Sequence, residues 1–466
     1  MITFCPSYSN RVAKPGVFSF LSLLSLSLFV LSCKHTPHKY YDTLIFHSQS
    51  AKSYYKASES ELKIYSSSPG HKNIKPEIVI FKEEFTTFQN LFKYFEETEL
   101  RDIYLSKKSQ KLSPAIINEL NRRKEKHEDW KEKQKRRGGE LAGLKVAIDP
   151  GHTGIDQDTA ILEDRYIRIL SPDKKEYFFY EAKLAFQTAY ILKKMLEDRG
   201  ATVLLTRQQN GDTAFGKSFL EWKKSDKEFS LKKSLDEGKI TDKEYRFLLN
   251  AKDRKLFHEY FKHIELEKRA ELINDFHPDL SVIIHFNIDE ESWRGIKKIP
   301  KFFPISKNNY SMVFIPGCLD RETLQSLQGR IELLRLLLTE DMPQSIKLAS
   351  SLEEQFKKEL KILPVPNGYN LSYLTKFSLY SGKEGVYSRN LRLTRLIHGP
   401  IAYGESLYQD NEKEYPELSK ETYDFFGIKT SKRIWQVAFA YYQAILNYLS
   451  KKDTNVTLLC LPAFRC

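Results

Sequence analysis

The stretch Lys145-Val146-Ala147-Ile148-Asp149-Pro150-Gly151-His152-Thr153-Gly154 constrains this chain more than any other. A β-branched and apolar run stops abruptly at Asp-Pro-Gly. That predicts a buried strand ended by a turn, with His152 just beyond its carboxyl end. In open α/β sheets, ligands bind outside the carboxyl ends of the strands. A neutral imidazole placed there can ligate a metal through a ring nitrogen. One loop histidine carries no more than that, so the reading depends on what else the chain brings to the same edge.

The segments that follow predict an α/β order. Residues 180–199 read as a helix, with Leu184, Thr188, Ile191 and Met195 on one stripe and Lys193, Lys194 and Asp198 outside it. Gly200 is a helix stop, and 201–206 is the next strand. A βαβ order of this kind predicts a parallel pair with a right-handed crossover. Glu181 falls in the first helical turn, where a carboxylate favours the helix dipole. The helix also begins on the side where strand 145–149 ends, so the same carboxylate is a candidate to face His152.

Residues 211–265 carry Lys, Glu and Phe with little strand pattern and predict a helical insertion. A helix at 268–276 ends at His277-Pro278-Asp279. Residues 280–287 form a second buried strand with His285 near its carboxyl end. A polar ring in an apolar strand needs a partner; a core histidine bonded to backbone satisfies that, and a metal ligand is the sharper reading. Residues 310–315 predict another strand. The stretch 324–339 predicts a helix with Leu324, Leu327, Ile331, Leu334 and Leu338 on one stripe and Leu333, Leu336 and Leu337 off it. A helix apolar around so much of its circumference must be buried or lie over something apolar. Residues 345–363 are amphipathic and helical, 401–405 form a last strand with Glu405 at its carboxyl end, and 434–449 form a closing helix. The predicted fold class is α/β: a mostly parallel twisted sheet flanked by helices, with helical insertions and an N-terminal extension.

Before this unit lie two other kinds of sequence. Residues 17–32 are an apolar run preceded by Arg11 and Lys14, which reads as a signal peptide and is shorter than a comfortable membrane span. Val30-Leu31-Ser32-Cys33 resembles a bacterial lipoprotein processing site in relaxed form, with bulky Leu31 departing from the common choice. The resemblance implies cleavage before Cys33 and lipidation of its thiol; an ordinary signal peptide and an uncleaved anchor are the alternatives. Residues 33–140 read as a spacer or small accessory region. Ser66-Ser67-Ser68-Pro69-Gly70 marks a linker, 77–99 carry enough apolar residues for a strand and helix, and 116–137 form a charged, solvated helix. The net charge of +13 and pI of about 9.1 suit anionic partners such as lipid head groups or cell-wall polymers. No RNA-binding or zinc-finger signature favours nucleic acid. The five cysteines imply no disulfide framework, although a Cys460–Cys466 bridge is open.

His152, Glu181 and His285 are thus predicted to share one edge of the sheet. Two neutral imidazoles and a carboxylate, with a fourth position open to water, make a catalytic zinc arrangement. Zinc lowers the pKa of bound water to roughly 7. Such a hydrolase still needs a base to carry the proton to the leaving amine, and Glu405 is placed for it. Its plainer alternative is a solvated carboxylate at a strand end.

With these motifs the sequence resembles the zinc-dependent N-acetylmuramoyl-L-alanine amidases, over 144–449. Ile148-Asp149-Pro150-Gly151-His152 matches the family's opening motif, whose histidine binds zinc, and Glu181 matches its glutamate ligand. Arg269 and Asn274, before Asp279-Leu280-Ser281-Val282-Ile283-Ile284-His285-Phe286-Asn287, match the stretch with the second histidine ligand. Pro400-Ile401-Ala402-Tyr403-Gly404-Glu405, with Asn411 and Glu412, matches the strand of the catalytic glutamate. Ile283 stands where the family usually has serine, and Ser406-Leu407-Tyr408 replace its glycine or alanine followed by Phe. Together with the processing site at Cys33, the resemblance implies a cell-envelope enzyme, lipid-anchored and facing the periplasm. It would cleave the amide between N-acetylmuramic acid and L-alanine of the stem peptide, with peptidoglycan as substrate and an activator protein as a further partner. In some relatives a helix between the second histidine and the glutamate occludes the site until a partner removes it; 324–339 occupies a similar position, as an autoinhibitory lid or an ordinary core helix. The implied domains are 1–32 signal peptide, 33–140 accessory, 141–450 catalytic with insertions near 211–265 and 317–342, and 451–466 tail. Two other functions fit the residues: another zinc amide hydrolase acting within the stem peptide, and a non-catalytic cell-wall binding lipoprotein.

Overall fold

The computed structural model describes residues 42–67, 74–154, 156–290 and 301–458. The signal segment 1–32, Cys33, Pro69-Gly70, and the Cys460 and Cys466 pair lie outside the described residues. No helix among the described residues is long and apolar enough to cross a membrane.

The N-terminal region is folded from its first described residues, while residues 68–70 of the expected linker lie outside them. Strands β1 (Tyr55–Ala57), β2 (Glu61–Ile64) and β3 (Ile78–Phe81) form an antiparallel meander. In β2, Leu62 and Ile64 are buried while Glu61 and Lys63 face outward, the period-two pattern of a half-buried strand. Helix Phe85–Tyr94 buries Phe85, Phe88, Leu91 and Phe92, spaced three and four apart. Helix Glu97–Lys107 follows, and its buried Lys107 is compensated by the Glu84 carboxylate at 2.9 Å and the Val79 carbonyl at 2.6 Å. Helix Pro114–Lys135 starts with proline in its first turn and buries only Leu120, as its charge density predicts.

The core of this region is completed by a helix far away in sequence. Helix Leu327–Leu338 is buried from Gly329 to Leu338, and Ile331, Leu333, Leu334, Leu336, Leu337 and Leu338 share one apolar cluster with Leu62, Ile80, Phe88 and Leu91. Gln89 Nε2 donates to the Leu338 carbonyl at 2.6 Å, and Arg330 is bonded to Glu77. From its other side, Arg335 donates to the Arg395 carbonyl at 3.2 Å. The helix is buried on most sides because it is clamped between the N-terminal region and the short helix Arg392–Leu396, with Arg330 paired to Glu77 and Arg335 to Glu332.

The main sheet contains β4 (Lys145–Pro150), β7 (Thr202–Leu205), β8 (Leu280–Asn287), β9 (Tyr310–Ile315), β10 (Leu363–Pro364), β11 (Ser378–Tyr380), β12 (Val386–Arg389) and β13 (Ile401–Tyr408). Hairpins β5 (Tyr166–Leu170) with β6 (Glu176–Tyr180), and β14 (Tyr423–Phe425) with β15 (Ile428–Thr430), stand apart. The strand order is β11-β12-β9-β13-β8-β4-β7, with β10 on β9. Strands β7, β4, β8 and β13 are parallel neighbours, as the βαβ order predicts. β9 runs antiparallel to β13, and β12 and β10 follow β9. β9 therefore enters the sheet from the end at which β8 and β13 finish.

Helices Glu181–Glu197, Asp341–Gln355 and Lys432–Leu458 contribute to the large core on one face. Helix Lys262–Phe276 and the short helix Arg392–Leu396 pack on the other, over Ala147, Ile283 and Ile401. The insertion is helical, as predicted, around its own cluster of Phe219, Trp222, Phe257 and Phe261. With β8 between β4 and β13, register pairs Pro150 with Ile284 and His285 with Glu405. Three strand ends thereby meet at one edge.

Candidate active site

β4 hands over to the site through a tightly held turn. The Gly151 N–H donates to the Ile284 carbonyl at 2.9 Å, and His152 turns out with φ +57°, in the left-handed region where a non-glycine residue needs support. Two buried arginines give that support. Arg269 donates to the carbonyls of Pro150 at 2.8 Å and His152 at 3.2 Å and to the Asp149 carboxylate at 3.1 Å; Arg207 donates to the Pro150 and Gly151 carbonyls, each at 3.1 Å. Glu265 accepts from Arg269 Nε at 2.8 Å, so the buried cations are balanced by Asp149 and Glu265.

Glu181 is the first residue of its helix, and His285 stands near the end of β8. Glu181 Oε1 accepts from His285 Nδ1 at 2.8 Å and from the Phe286 N–H at 3.2 Å; its Oε2 lies 3.2 Å from His152 Nε2. The two imidazoles meet edge to face, centroids 4.6 Å apart. One donor atom from each of His152, Glu181 and His285 falls within 4.8 Å of the others. The three residues singled out from sequence are brought together. Tyr403 stacks on His285 with ring centres 4.5 Å apart and the planes nearly parallel, at 11°.

Glu163 was not found from sequence. It closes the helix Gln157–Glu163 and reaches back to accept from the N–H groups of Thr153 at 3.0 Å and Gly154 at 2.9 Å, and lies 3.1 Å from His152 Nδ1. A carboxylate at the end of a short helix in a charged stretch has no distinguishing signal. Its place behind His152 fixes the ring so that Nε2 faces the cluster. Burial works against charge here, but the carboxylates of Glu181 and Glu163 outweigh it and push His152 up to about 9. Against the same burial, His152 and the two backbone donors hold Glu163 at about 2. Burial alone would raise Glu181, but its histidine neighbours hold it well below the carboxylate range. The donor set of two imidazoles and one carboxylate, with a carboxylate behind one ring, fits a divalent ion taking nitrogen and oxygen ligands. The carboxylates of Glu181 and Glu163 favour positive charge at this point, which such an ion would supply.

Glu405 lies beside His285 on the parallel neighbour strand, with Oε2 buried and without a hydrogen-bond partner. Burial, then the Glu181 charge, pushes its carboxyl up to about 8. Other motif residues shape loops instead. Asn274 donates to the Leu396 carbonyl at 2.9 Å and accepts from the His398 N–H at 2.9 Å; Asn411 donates to the Ser306 and Asn308 carbonyls. Helix Leu327–Leu338 does not cover the site: Arg335 meets Arg395, ahead of the amino end of β13, while Glu405 stands toward the other end. Of the two readings of that helix, the core helix is the one the packing supports.

A family model described as N-acetylmuramoyl-L-alanine amidase matches residues 146–426, which include all four of these residues. Among solved structures, the CwlD amidase from Clostridioides difficile, in complex with the GerS lipoprotein, is 18% identical; the match covers 66% of this chain and 99% of that one, with a TM-score of 0.34. The apo N-acetylmuramyl-L-alanine amidase from Mycobacterium abscessus is 14% identical over 66% of this chain and 99% of its own, with a TM-score of 0.36. The catalytic domain of CwlV, an amidase from Bacillus (Paenibacillus) polymyxa var. colistinus, is 14% identical over 66% and 98%, with a TM-score of 0.34. No curated protein matches the chain.

Proposed function

This chain belongs to the N-acetylmuramoyl-L-alanine amidase family, and on that premise we propose that its peptidoglycan-hydrolysing chemistry uses a zinc ion held by His152, Glu181 and His285, with Glu405 moving the proton. The convergence of the three donors within 4.8 Å carries this reading. Bound there, zinc supplies a Lewis acid that makes water nucleophilic near neutral pH.

The protein's own groups do the rest. Glu163 and the arginine-held turn fix His152. Tyr403 fixes the plane of His285, and the Phe286 N–H fixes Glu181. Glu405 has an unpartnered oxygen and a carboxyl raised toward neutrality, the properties of a group that accepts a proton from water and returns it to a leaving amine. As the water oxygen bonds to the carbonyl carbon, one of its protons passes to Glu405. When the C–N bond breaks, that proton passes to the nitrogen of L-alanine; the second water proton then leaves the new carboxylic acid for the freed amine, giving a muramic acid carboxylate and a peptide with an amino-terminal ammonium.

The reading extends to the cell. The apolar run 17–32 and Val30-Leu31-Ser32-Cys33 support a signal peptide and a lipid on Cys33, hence an enzyme anchored in the bacterial envelope and facing the periplasm. Residues 33–140 serve in it as an accessory region to a catalytic domain at 141–450. An activating protein partner rests on the family resemblance alone.

The experiment is elemental analysis of the purified chain beside His285→Ala. The expected result is about one zinc per wild-type chain and its loss in the variant. A metal-replete wild-type protein without zinc overturns the metal assignment.

A further inference from the structure

β12 ends in Arg389, and register places it on the active face of the sheet. Tyr403 pairs with Phe314, and Phe314 with Tyr387. Side chains alternate along a strand, so Arg389, two residues beyond Tyr387, shares the face of Tyr403 and Glu405. Its guanidinium lies 4.9 Å from the ring centre of Phe314 and 4.9 Å from that of Tyr373. Tyr373 is itself fixed to the site: Asn287, two residues beyond His285, donates to its hydroxyl at 2.8 Å.

Arg389 is half-buried, yet among the described residues no carboxylate lies within ion-pair distance of its guanidinium and no acceptor takes its N–H groups. The fully buried arginines behave otherwise: Arg207, Arg269 and Arg335 spend their donors on carbonyls or carboxylates. Aromatic faces hold a guanidinium by cation–π attraction without consuming its donors. Arg389 is therefore a positioned cation with its five N–H groups free for a ligand, joined to the site through Phe314, whose ring lies 6.1 Å from that of Tyr403, which in turn stacks on His285.

The substrate carries its anions on one side only. The N-acetyl sugars are uncharged, and the acid group of the muramic residue is consumed in the scissile amide, so free carboxylates belong to the peptide. We propose that Arg389 is a specificity-determining residue that docks a free carboxylate of the stem peptide while the amide lies at Glu405. This rests on the amidase reading above.

The test measures binding by calorimetry to the full chain carrying Glu405→Gln, so that turnover plays no part. The probes are an N-acetylmuramoyl peptide with free carboxylates and the same compound with those carboxylates amidated. Adding Arg389→Gln is expected to weaken the free-acid probe roughly 10- to 100-fold, the scale of a charge-assisted hydrogen bond. The amidated probe should bind both proteins equally, which excludes misfolding as the cause. Arg389→Lys should restore only part, since an ammonium lacks the fork. Equal affinity of the free-acid probe for both proteins, or no binding to either, overturns the assignment. A zinc-loaded wild-type protein that releases no peptide from murein overturns the amidase reading instead, and leaves a measured binding difference standing.

Discussion

Gly151 lies directly against the ring of His285: a Cβ at residue 151 would fall 2.3 Å from both Cε1 and Nε2 of that imidazole. The glycine of the opening motif is thus the space into which the second histidine fits. Gly151→Ala should push His285 out of the cluster and lower metal affinity by at least 10-fold, with activity falling alongside. Metal titration checks this, with far-UV circular dichroism expected to be unchanged.

Glu163 acts on the metal through His152. Glu163→Gln keeps an acceptor for the Thr153 and Gly154 N–H groups but removes the charge behind the ring. Metal affinity should fall about 10- to 100-fold, the usual cost of losing such an outer partner. Competition with a chelator measures it; unchanged affinity would mean that Glu163 only shapes the loop.

Glu353 gives a stability signature unrelated to the site. Its helix buries it against β9, where Ser311 Oγ donates to Oε2 at 2.6 Å while Oε1 has no partner. Burial pushes the carboxyl up to about 8. The folded protein therefore holds a proton that the unfolded chain releases near the ordinary carboxyl pKa. This contribution to stability is present below about pH 4 and is lost as pH rises through about 8. Glu353→Gln should gain roughly 1–3 kcal/mol on the wild type between pH 5 and pH 8. Denaturant melts at the two pH values check this.

Helix Leu327–Leu338 should behave as core. Leu334 is 1% exposed, so Leu334→Ala should cost about 2–5 kcal/mol and leave specific activity of the folded fraction unchanged. A variant that stays stable and gains activity would restore the lid reading.

The site was legible in the sequence to the extent that its residues punctuate apolar elements. His152 follows an abrupt strand stop, His285 interrupts a buried strand, Glu181 opens a helix and Glu405 stands late in the last strand; each is conspicuous against its neighbours. Glu163 and Arg207 are not, because a carboxylate or guanidinium in a polar stretch looks the same whether it is solvated or reaches into a core. The N-terminal fold was read only in part for a different reason. Leu62, Ile64, Ile80 and Phe88 find cover on a helix near residue 330, and no local pattern reports a partner so distant. That the helix is apolar around much of its circumference was visible, but not the surface that answers it. The direction of β9 escaped too, since a strand's own residues read the same whichever way it runs.

The most direct test of the central claim is peptide release from purified peptidoglycan by the zinc-loaded chain beside Glu405→Gln, with zinc content measured on both. Wild type should release peptides with a free amino-terminal L-alanine and leave the glycan intact. The variant should keep its zinc and lose turnover by at least about 100-fold, the scale of general acid–base catalysis. Full turnover in Glu405→Gln, or shortened stems still attached to the glycan, would contradict the account.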